Sequence, residues 1–463
     1  MFNRLLIANR GEIAVRIVRC CHELGIETIC VYSEADRDSL AVRLADHPIC
    51  IGPAPSARSY LHIPSVIQAA LLTGAEAIHP GAGFLAEDAK FAEICEQYGI
   101  VFVGPPAAVL RTVGDKTQAK RAMQEAGVPV IPGSADPLRS VPEAARAAAQ
   151  IGYPVMLKPA GGGGGKGMRI ARTPPDMERL FPLSQSEAAA SFSNDGIYLE
   201  RYLGRMRHIE VQILADGQGN VLALGDRNCS AQRFHQKLVE EALSPNLPEQ
   251  ARQAIWASAV RGAKAINYSG AGTFEFLVDE QDDHYFLEIN KRIQVEHPVT
   301  EAITGIDLVK EQLRIADGEA LRLSQDQVVF RGHAIECRIN AEDPGQKFKA
   351  QTGTITSYLP PGGPGIRVDS HLFTGYVVPP FYDSLVAKII AWGADRSEAL
   401  ARLVRSLDEC WIEGVTTNVA FQRWLLGTPQ FVAGTLTTEF VSDALLEGLP
   451  FGHQDSSAEE RAS

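Results

Sequence analysis

The stretch AGTFEFLVDEQDDHYFLEIN, residues 271–290, reads as two apolar strands joined by a turn over DEQDD. With the turn centred between Gln281 and Asp282, the antiparallel register pairs Phe274 with Ile289, Phe276 with Leu287 and Val278 with Tyr285. That side is wholly apolar and belongs in a core. The other side pairs Thr273 with Asn290, Glu275 with Glu288 and Leu277 with Phe286. Two directly opposed carboxylates repel unless a cation lies between them. Oxygen ligands from Glu275, Glu288 and Asn290 suit Mg²⁺, or the similar Mn²⁺, which takes one or two carboxylates and completes its shell with phosphate oxygens and water. A solvated face on which the two glutamates splay apart is the structural alternative.

Just downstream, in KRIQVEHPVTEAITG, an extended chain points Arg292, Gln294 and Glu296 to one side. Arginine grips a planar oxyanion with two hydrogen bonds, and Glu296 serves as its base if burial raises the carboxyl pKa toward neutrality. A plain Arg292–Glu296 salt bridge accounts for the same residues. Upstream, RHIEVQIL reads as a strand with His208, Glu210 and Gln212 on one face and Ile209, Val211 and Ile213 buried. His208 there reads more readily as a satisfied edge residue than as a ligand. The run PAGGGGGKGM, residues 159–168, is not a Walker A loop, because Ala160 and Gly167 occupy the positions of its first glycine and its Ser/Thr. It lies between the strand-like GYPVMLKPA and MRIAR, so its glycines can lay bare N–H groups over phosphate oxygens and swing as a lid. A flexible surface hairpin is the competing reading of the glycines alone. Lys158, at the end of the first strand, and Lys116, in VGDK, tilt the balance toward phosphate.

A chain of 463 residues is expected to hold about two to four domains. Residues 3–114 alternate short apolar strands (RLLIAN, ETICVYS, AEAIHP, IVFVGP) with helical stretches, which implies βαβ units around a parallel sheet. The first turn, NRGE, lacks the G-x-G-x-x-G of dinucleotide sites. The expected organisation is α/β and α+β multidomain: a Rossmann-like domain over 1–114, a central domain over 115–330, a mixed α+β domain over 331–446 and a disordered tail over 447–463. A net charge of −12 argues against nucleic-acid binding. No apolar run approaches the ~18 residues of a membrane span, and MFNRLLIANRGE lacks the features of a targeting signal, so the cytoplasm is the expected location. Eight cysteines without C-x-x-C spacing read as buried, reduced packing residues.

VGDK, KPAGGGGGKGM, RHIEVQILADGQGN, QRFHQKLVEEA, GTFEFL, LEIN, RIQVEHPVTE and ECRINAEDP, in this order, together with IANRGEIA and SYLHIP, resemble the ATP-grasp biotin carboxylases. The likeness is greatest to the free-standing subunit of bacterial acetyl-CoA carboxylase and runs from about residue 2 to residue 446. It implies an ATP-dependent ligase that carboxylates biotin with bicarbonate through carboxyphosphate, as the first half-reaction of a biotin-dependent carboxylase. Lys116 and Lys158 would meet the ATP phosphates under a lid of Gly162, Gly163, Gly164 and Gly165. Met168, Glu200, Leu203, His208, Gln232, His235 and Leu277 would complete the nucleotide site, with Glu275, Glu288 and Asn290 on the metal. Lys237, Arg292, Gln294 and the backbone of Val295 would hold bicarbonate, Glu296 would be its base, and Arg338 would steady the biotin enolate. Ala82 stands where the family usually has Tyr, and Lys291 and Asn228 are further departures. The sequence shows no biotin-accepting A-M-K-M motif and nothing like a carboxyltransferase beyond Leu446. The resemblance therefore implies a separate biotin carboxyl carrier protein, separate carboxyltransferase subunits and a homodimer. Another ATP-grasp carboxylate ligase, or a silent nucleotide-binding subunit, remains the alternative.

Overall fold

The computed structural model describes residues 1–134, 136–159, 168–192, 195–233 and 236–447. The glycines of the expected lid, His235 and nearly all of the expected tail lie outside these residues.

The N-terminal strands are β1 (Arg4–Ile7), β2 (Glu27–Ser33), β3 (His47–Gly52), β4 (Ala77–His79) and β5 (Val101–Phe102). They form a parallel sheet in the order β3-β2-β1-β4-β5. Four of them were legible from their apolar runs. β3 was not, because its residues lie at a half-exposed edge. The helix Gly11–Leu24 buries Ile13, Ala14, Ile17, Val18 and Cys21 along one stripe and ends at Gly25, whose left-handed φ of 72° returns its N–H toward the last turn.

Next come β6 (Val155–Pro159), β7 (Arg169–Ala171) and β8 (Ile197–Arg201), an antiparallel sheet in the order β7-β6-β8. The strands on either side of the glycine run thus pair with each other, Leu157 facing Arg169. This unit has its own core, including Val155, Leu157, Phe181 and Leu199.

The largest element is an eight-stranded sheet. It contains β9 (Arg207–Ala215), β10 (Val221–Arg233), β11 (Gln236–Ala242), β12 (Gly270–Val278), β13 (His284–Asn290) and β14 (His333–Asn340). Its order is β13-β12-β9-β10-β11-β14, followed by the strands Leu385–Gly393 and Ile366–Ser370. Strands on both sides of the expected boundary at residue 330 therefore share one sheet, β11 pairing with β14 through Val239–Cys337 and Glu240–Glu336. One hydrophobic cluster likewise joins Leu5 and Ile17 of the N-terminal region to Leu214, Ala271, Ile293 and Leu313.

Two of the sheet's bulges bear on the site. In β13, Glu275 faces Glu288 and Phe274 faces Ile289 as expected, but Phe276 faces Phe286 and Val278 faces His284. Leu287 is the extra residue, left on the exposed side, so its expected pairing with Phe276 is wrong. In β10 the register with β9 steps by one residue between Ala223 and Asp226. Gly225, at φ 94°, sits in that bulge, where a Cβ would lie 2.8 Å from the Phe330 ring. Six of the eight cysteines are buried and all are free thiols, whereas Cys50 is exposed and Cys410 half-buried, against the expectation for those two.

Candidate active site

The strand registers bring a row of charges across four strands: Glu288 on β13 faces Glu275 on β12, Glu275 faces Glu210 on β9, and Glu210 faces Arg227 on β10. β9 lies inside the sheet, so the expectation of an edge position for His208 fails. His208, Glu210 and Gln212 are all buried, and His208 Nε2 lies 3.0 Å from Glu275 Oε2. Three carboxylates side by side are tolerable only with cations among them.

Lys237, on β11, supplies one. Its Nζ lies 2.5 Å from Glu210 Oε2, 2.8 Å from Glu275 Oε1 and 2.7 Å from Glu296 Oε1. Arg227 supplies the other. Completely buried, it donates to Glu210 Oε1 at 2.5 Å, Gln212 Oε1 at 2.7 Å, Gln294 Oε1 at 2.9 Å, and Thr273 and Thr300 Oγ1 at 3.0 Å. Five bonds use all five of its N–H groups. Sequence reasoning missed both Arg227 and the pairing of Glu210. GDRNCSAQR carries no local signal for an arginine that faces the interior, since the bulge at Gly225 decides that orientation.

Residues 292–296 are not extended. The chain bends at Arg292 and turns at Glu296, which caps the helix His297–Thr304. Gln294 and Glu296 nevertheless reach the same cluster: Gln294 Nε2 donates to Glu275 Oε1 at 3.0 Å, while Glu296 bridges Lys237 and Arg338, whose NH2 lies 2.9 Å from Glu296 Oε2. The Arg292–Glu296 salt bridge is replaced by other pairs. Arg292 donates to Asn290 Oδ1 at 3.1 Å and stands 3.5 Å from Glu87, which also accepts the Lys291 N–H at 2.9 Å. The Val295 carbonyl accepts Lys388 Nζ at 2.7 Å.

Burial alone would raise the Glu296 pKa, as the sequence reading supposed. Lys237, Arg338 and Arg227 outweigh it and hold the carboxyl below the usual range. Burial is likewise outweighed at Glu275, by Lys237 and then His208. Lys237 loses stability as a cation through burial but is pushed well up by Glu210, Glu275 and Glu296. Glu275, Glu296 and Lys237 are thus each held in the charged form at neutral pH.

Asn290 completes the hairpin's polar corner, its Nδ2 donating to Glu275 Oε1 at 2.6 Å. Glu275, Glu288 and Asn290 present hard oxygen donors of the kind Mg²⁺ takes, and the Glu275–Glu288 opposition fits a cation there. Among the described residues, His208, Glu210 and Glu275 also bring ligand atoms within 4.8 Å of one another.

The expected nucleotide residues that the structure describes come from several separate elements. Lys158 pairs with Glu200 across β6 and β8, and Lys120, which the sequence reading left out, lies 3.2 Å from the same carboxylate. Both lysines hold Glu200 below the usual carboxylate range against the opposing effect of burial. Gln232 is buried on β10 opposite Lys237. Met168, Leu203 and Leu277 are half-buried. Lys116 opens the helix Lys116–Glu125, whose first N–H groups are capped by Asp115. Of the family departures, Lys291 is buried, and Asn228 Oδ1 accepts the Ser230 N–H and hydroxyl at 2.9 and 2.6 Å.

Three family models match the chain: biotin carboxylase, N-terminal domain, over residues 1–110; carbamoyl-phosphate synthase L chain, ATP binding domain, over 115–324; and biotin carboxylase C-terminal domain over 336–443. A biotin carboxylase of Nostoc sp. is 55% identical over 442 residues, covering 96% of this chain and 99% of that one. The biotin carboxylase of Campylobacter jejuni, solved as a βγ-ATP complex, superposes with a TM-score of 0.90 at 46% identity, covering 96% and 99% of the two chains. The biotin carboxylase domain dimer of the Hydrogenobacter thermophilus 2-oxoglutarate carboxylase, solved with MgADP, ADP and bicarbonate, gives 0.90 at 45% identity, covering 98% and 100%. Together with the carboxylate-and-cation cluster on the central sheet, these matches show that the chain belongs to the biotin carboxylase family.

Proposed function

We propose that this chain uses ATP and bicarbonate to carboxylate biotin, and that Glu296, clamped between Lys237 and Arg338, is the centre of that reaction. The clamp is the observation that carries the reading: a buried, ionised carboxylate bonded on one side to a lysine of β11 and on the other to an arginine of β14.

Bicarbonate docks against Lys237, Arg292, Gln294 and the Val295 backbone. An oxyanion that takes Lys237 as a partner removes part of the stabilisation of the Glu296 anion and adds negative charge beside it, and both effects raise its proton affinity. Glu296 accepts the bicarbonate proton as the freed oxygen attacks the γ-phosphorus of ATP, ADP departs and carboxyphosphate forms. That mixed anhydride then breaks to CO₂ and phosphate, the phosphate takes the proton from the biotin ureido nitrogen, and the nitrogen attacks CO₂. Arg338 faces the oxyanion that develops on biotin. Lys116, Lys158 and the glycine lid of residues 162–165 hold the phosphates and exclude water, with Met168, Glu200, Leu203, His208, Gln232, His235 and Leu277 around the nucleoside. A Mg²⁺ held by Glu275, Glu288 and Asn290 supplies charge neutralisation on the phosphate oxygens.

Biotin arrives on a separate carrier protein, and carboxyltransferase subunits take the carboxyl onward, with acetyl-CoA as the acceptor the sequence resemblance favours. A cytoplasmic homodimer is the working form. No helix among the described residues is long and apolar enough to cross a membrane.

One assay tests the reading. ADP release should require bicarbonate, accelerate with free biotin, and fall by about 100-fold or more in Glu296→Ala and in Arg338→Ala. Turnover without any response to biotin would replace it with another ATP-grasp ligase, and absence of turnover with a nucleotide-binding role.

A further inference from the structure

Behind Arg338 lies a buried acidic pair that the reaction above does not use. Glu240 on β11 and Glu336 on β14 are directly opposed, and neither exposes any surface. Side chains so placed start from Cβ atoms about 5 Å apart, well within reach of two glutamates. Arg338 Nε donates to Glu240 Oε1 at 2.6 Å. The remaining three oxygens, Glu240 Oε2 and both of Glu336, are buried without a hydrogen-bond partner. Along β14, Glu336 lies between Ala334 and Arg338, and across the sheet it faces Ile390. Ala334 and Ile390 belong to an apolar cluster with Val299 and Ile303 of the overlying helix.

Two bare anions in this place would combine like-charge repulsion with unsatisfied acceptors, the costliest arrangement for buried polar groups. We propose that Glu240 and Glu336 share one proton in the neutral-pH enzyme, and that this singly charged pair is the positioning device that holds Arg338 toward Glu296. The proton makes an O–H···O bond between the two side chains. Glu240 then keeps one charged oxygen for Arg338, while the guanidinium retains positive field for the oxyanion it faces.

The surrounding charges agree. Arg338 on β14, Lys388 on the neighbouring strand and Lys237 on β11 are the cations facing the pair, and Glu296 is the facing anion. Lys388 is already engaged by Glu12 at 3.1 Å and the Val295 carbonyl, with Asp369 3.9 Å away, and burial and nearby cations keep His297 neutral. Burial pushes Glu240 up to about 7 despite Arg338, and raises Glu336 well above the carboxylate range despite Lys388. Loss of the shared proton at alkaline pH would put a second anion behind Arg338 and cancel part of its field.

The role of Arg338 rests on the biotin carboxylase reading, so the proton and the role are read separately. Infrared spectra of the full-length enzyme at neutral pH should show a protonated-carboxyl stretch that shifts in D₂O and is lost in Glu336→Gln, whose amide still donates to Glu240. A wild-type spectrum without such a band, or a band unchanged by the substitution, overturns the shared proton whatever the enzyme's substrate. The alkaline fall in biotin-stimulated ADP release should move to higher pH in Glu336→Gln by about one unit or more. Superimposable profiles would overturn the positioning role. If Glu336→Gln does not fold, Glu240→Gln decides the same point: with its Arg338 bond weakened, the biotin KM should rise several-fold more than the bicarbonate KM, and equal changes would overturn the role.

Discussion

Arg227 shows how much one side chain organises here. It ties Glu210 of β9, Thr273 of β12, Gln294 of the bend and Thr300 of the helix into one rigid set. Arg227→Ala should destabilise the protein by about 3–5 kcal/mol, read by urea unfolding, because it leaves Glu210 buried without a guanidinium partner. At Glu296 and Glu275 the folded pKa lies below its ordinary value. Each therefore contributes stability that is fully present above the unfolded pKa of about 4.3 and is lost as pH falls through the folded value. The melting temperature should drop as pH is lowered below about 5, less steeply in Glu296→Gln than in wild type.

The β12–β13 hairpin is the element on which the chemistry turns. Its apolar face anchors it in the central core through Phe274, Phe276 and Ile289, and its polar face carries the opposed glutamates. The bulge at Leu287 leaves Glu275–Glu288 intact while shifting every pair beyond it, so the site keeps its register although the turn end does not follow the regular ladder. Glu288→Gln removes one of two carboxylates from the proposed ion. The Mg²⁺ concentration giving half-maximal ADP release should rise about tenfold or more, while the unfolding free energy changes by less than about 1 kcal/mol.

Across the whole molecule, the site is a junction of all three regions rather than a pocket within one. Glu87, from the N-terminal region, accepts the Lys291 N–H and stands beside Arg292. Lys388, from the C-terminal region, holds the Val295 carbonyl and pairs with Glu12 of the first helix. Glu87→Ala frees Arg292 from its partner, and the KM for bicarbonate should rise several-fold with a smaller change in kcat, as expected when a binding group loses its orientation.

Residues whose meaning is local were legible in the sequence. Apolar runs located most strands, turn residues located the hairpin, and the opposed Glu275 and Glu288 followed from period-two alternation. The ordered motifs carried the family. Hidden from it was everything that depends on which strands become neighbours: the interior place of β9, the sheet that runs past residue 330, and the partnerships of Glu210 with Arg227, Glu240 with Glu336 and Arg292 with Glu87. A bulge inserts one residue and reverses which face its successors occupy, and a charge is buried or exposed only once distant strands cover it. Those decisions belong to packing between segments tens to hundreds of residues apart, so only the tertiary structure makes them.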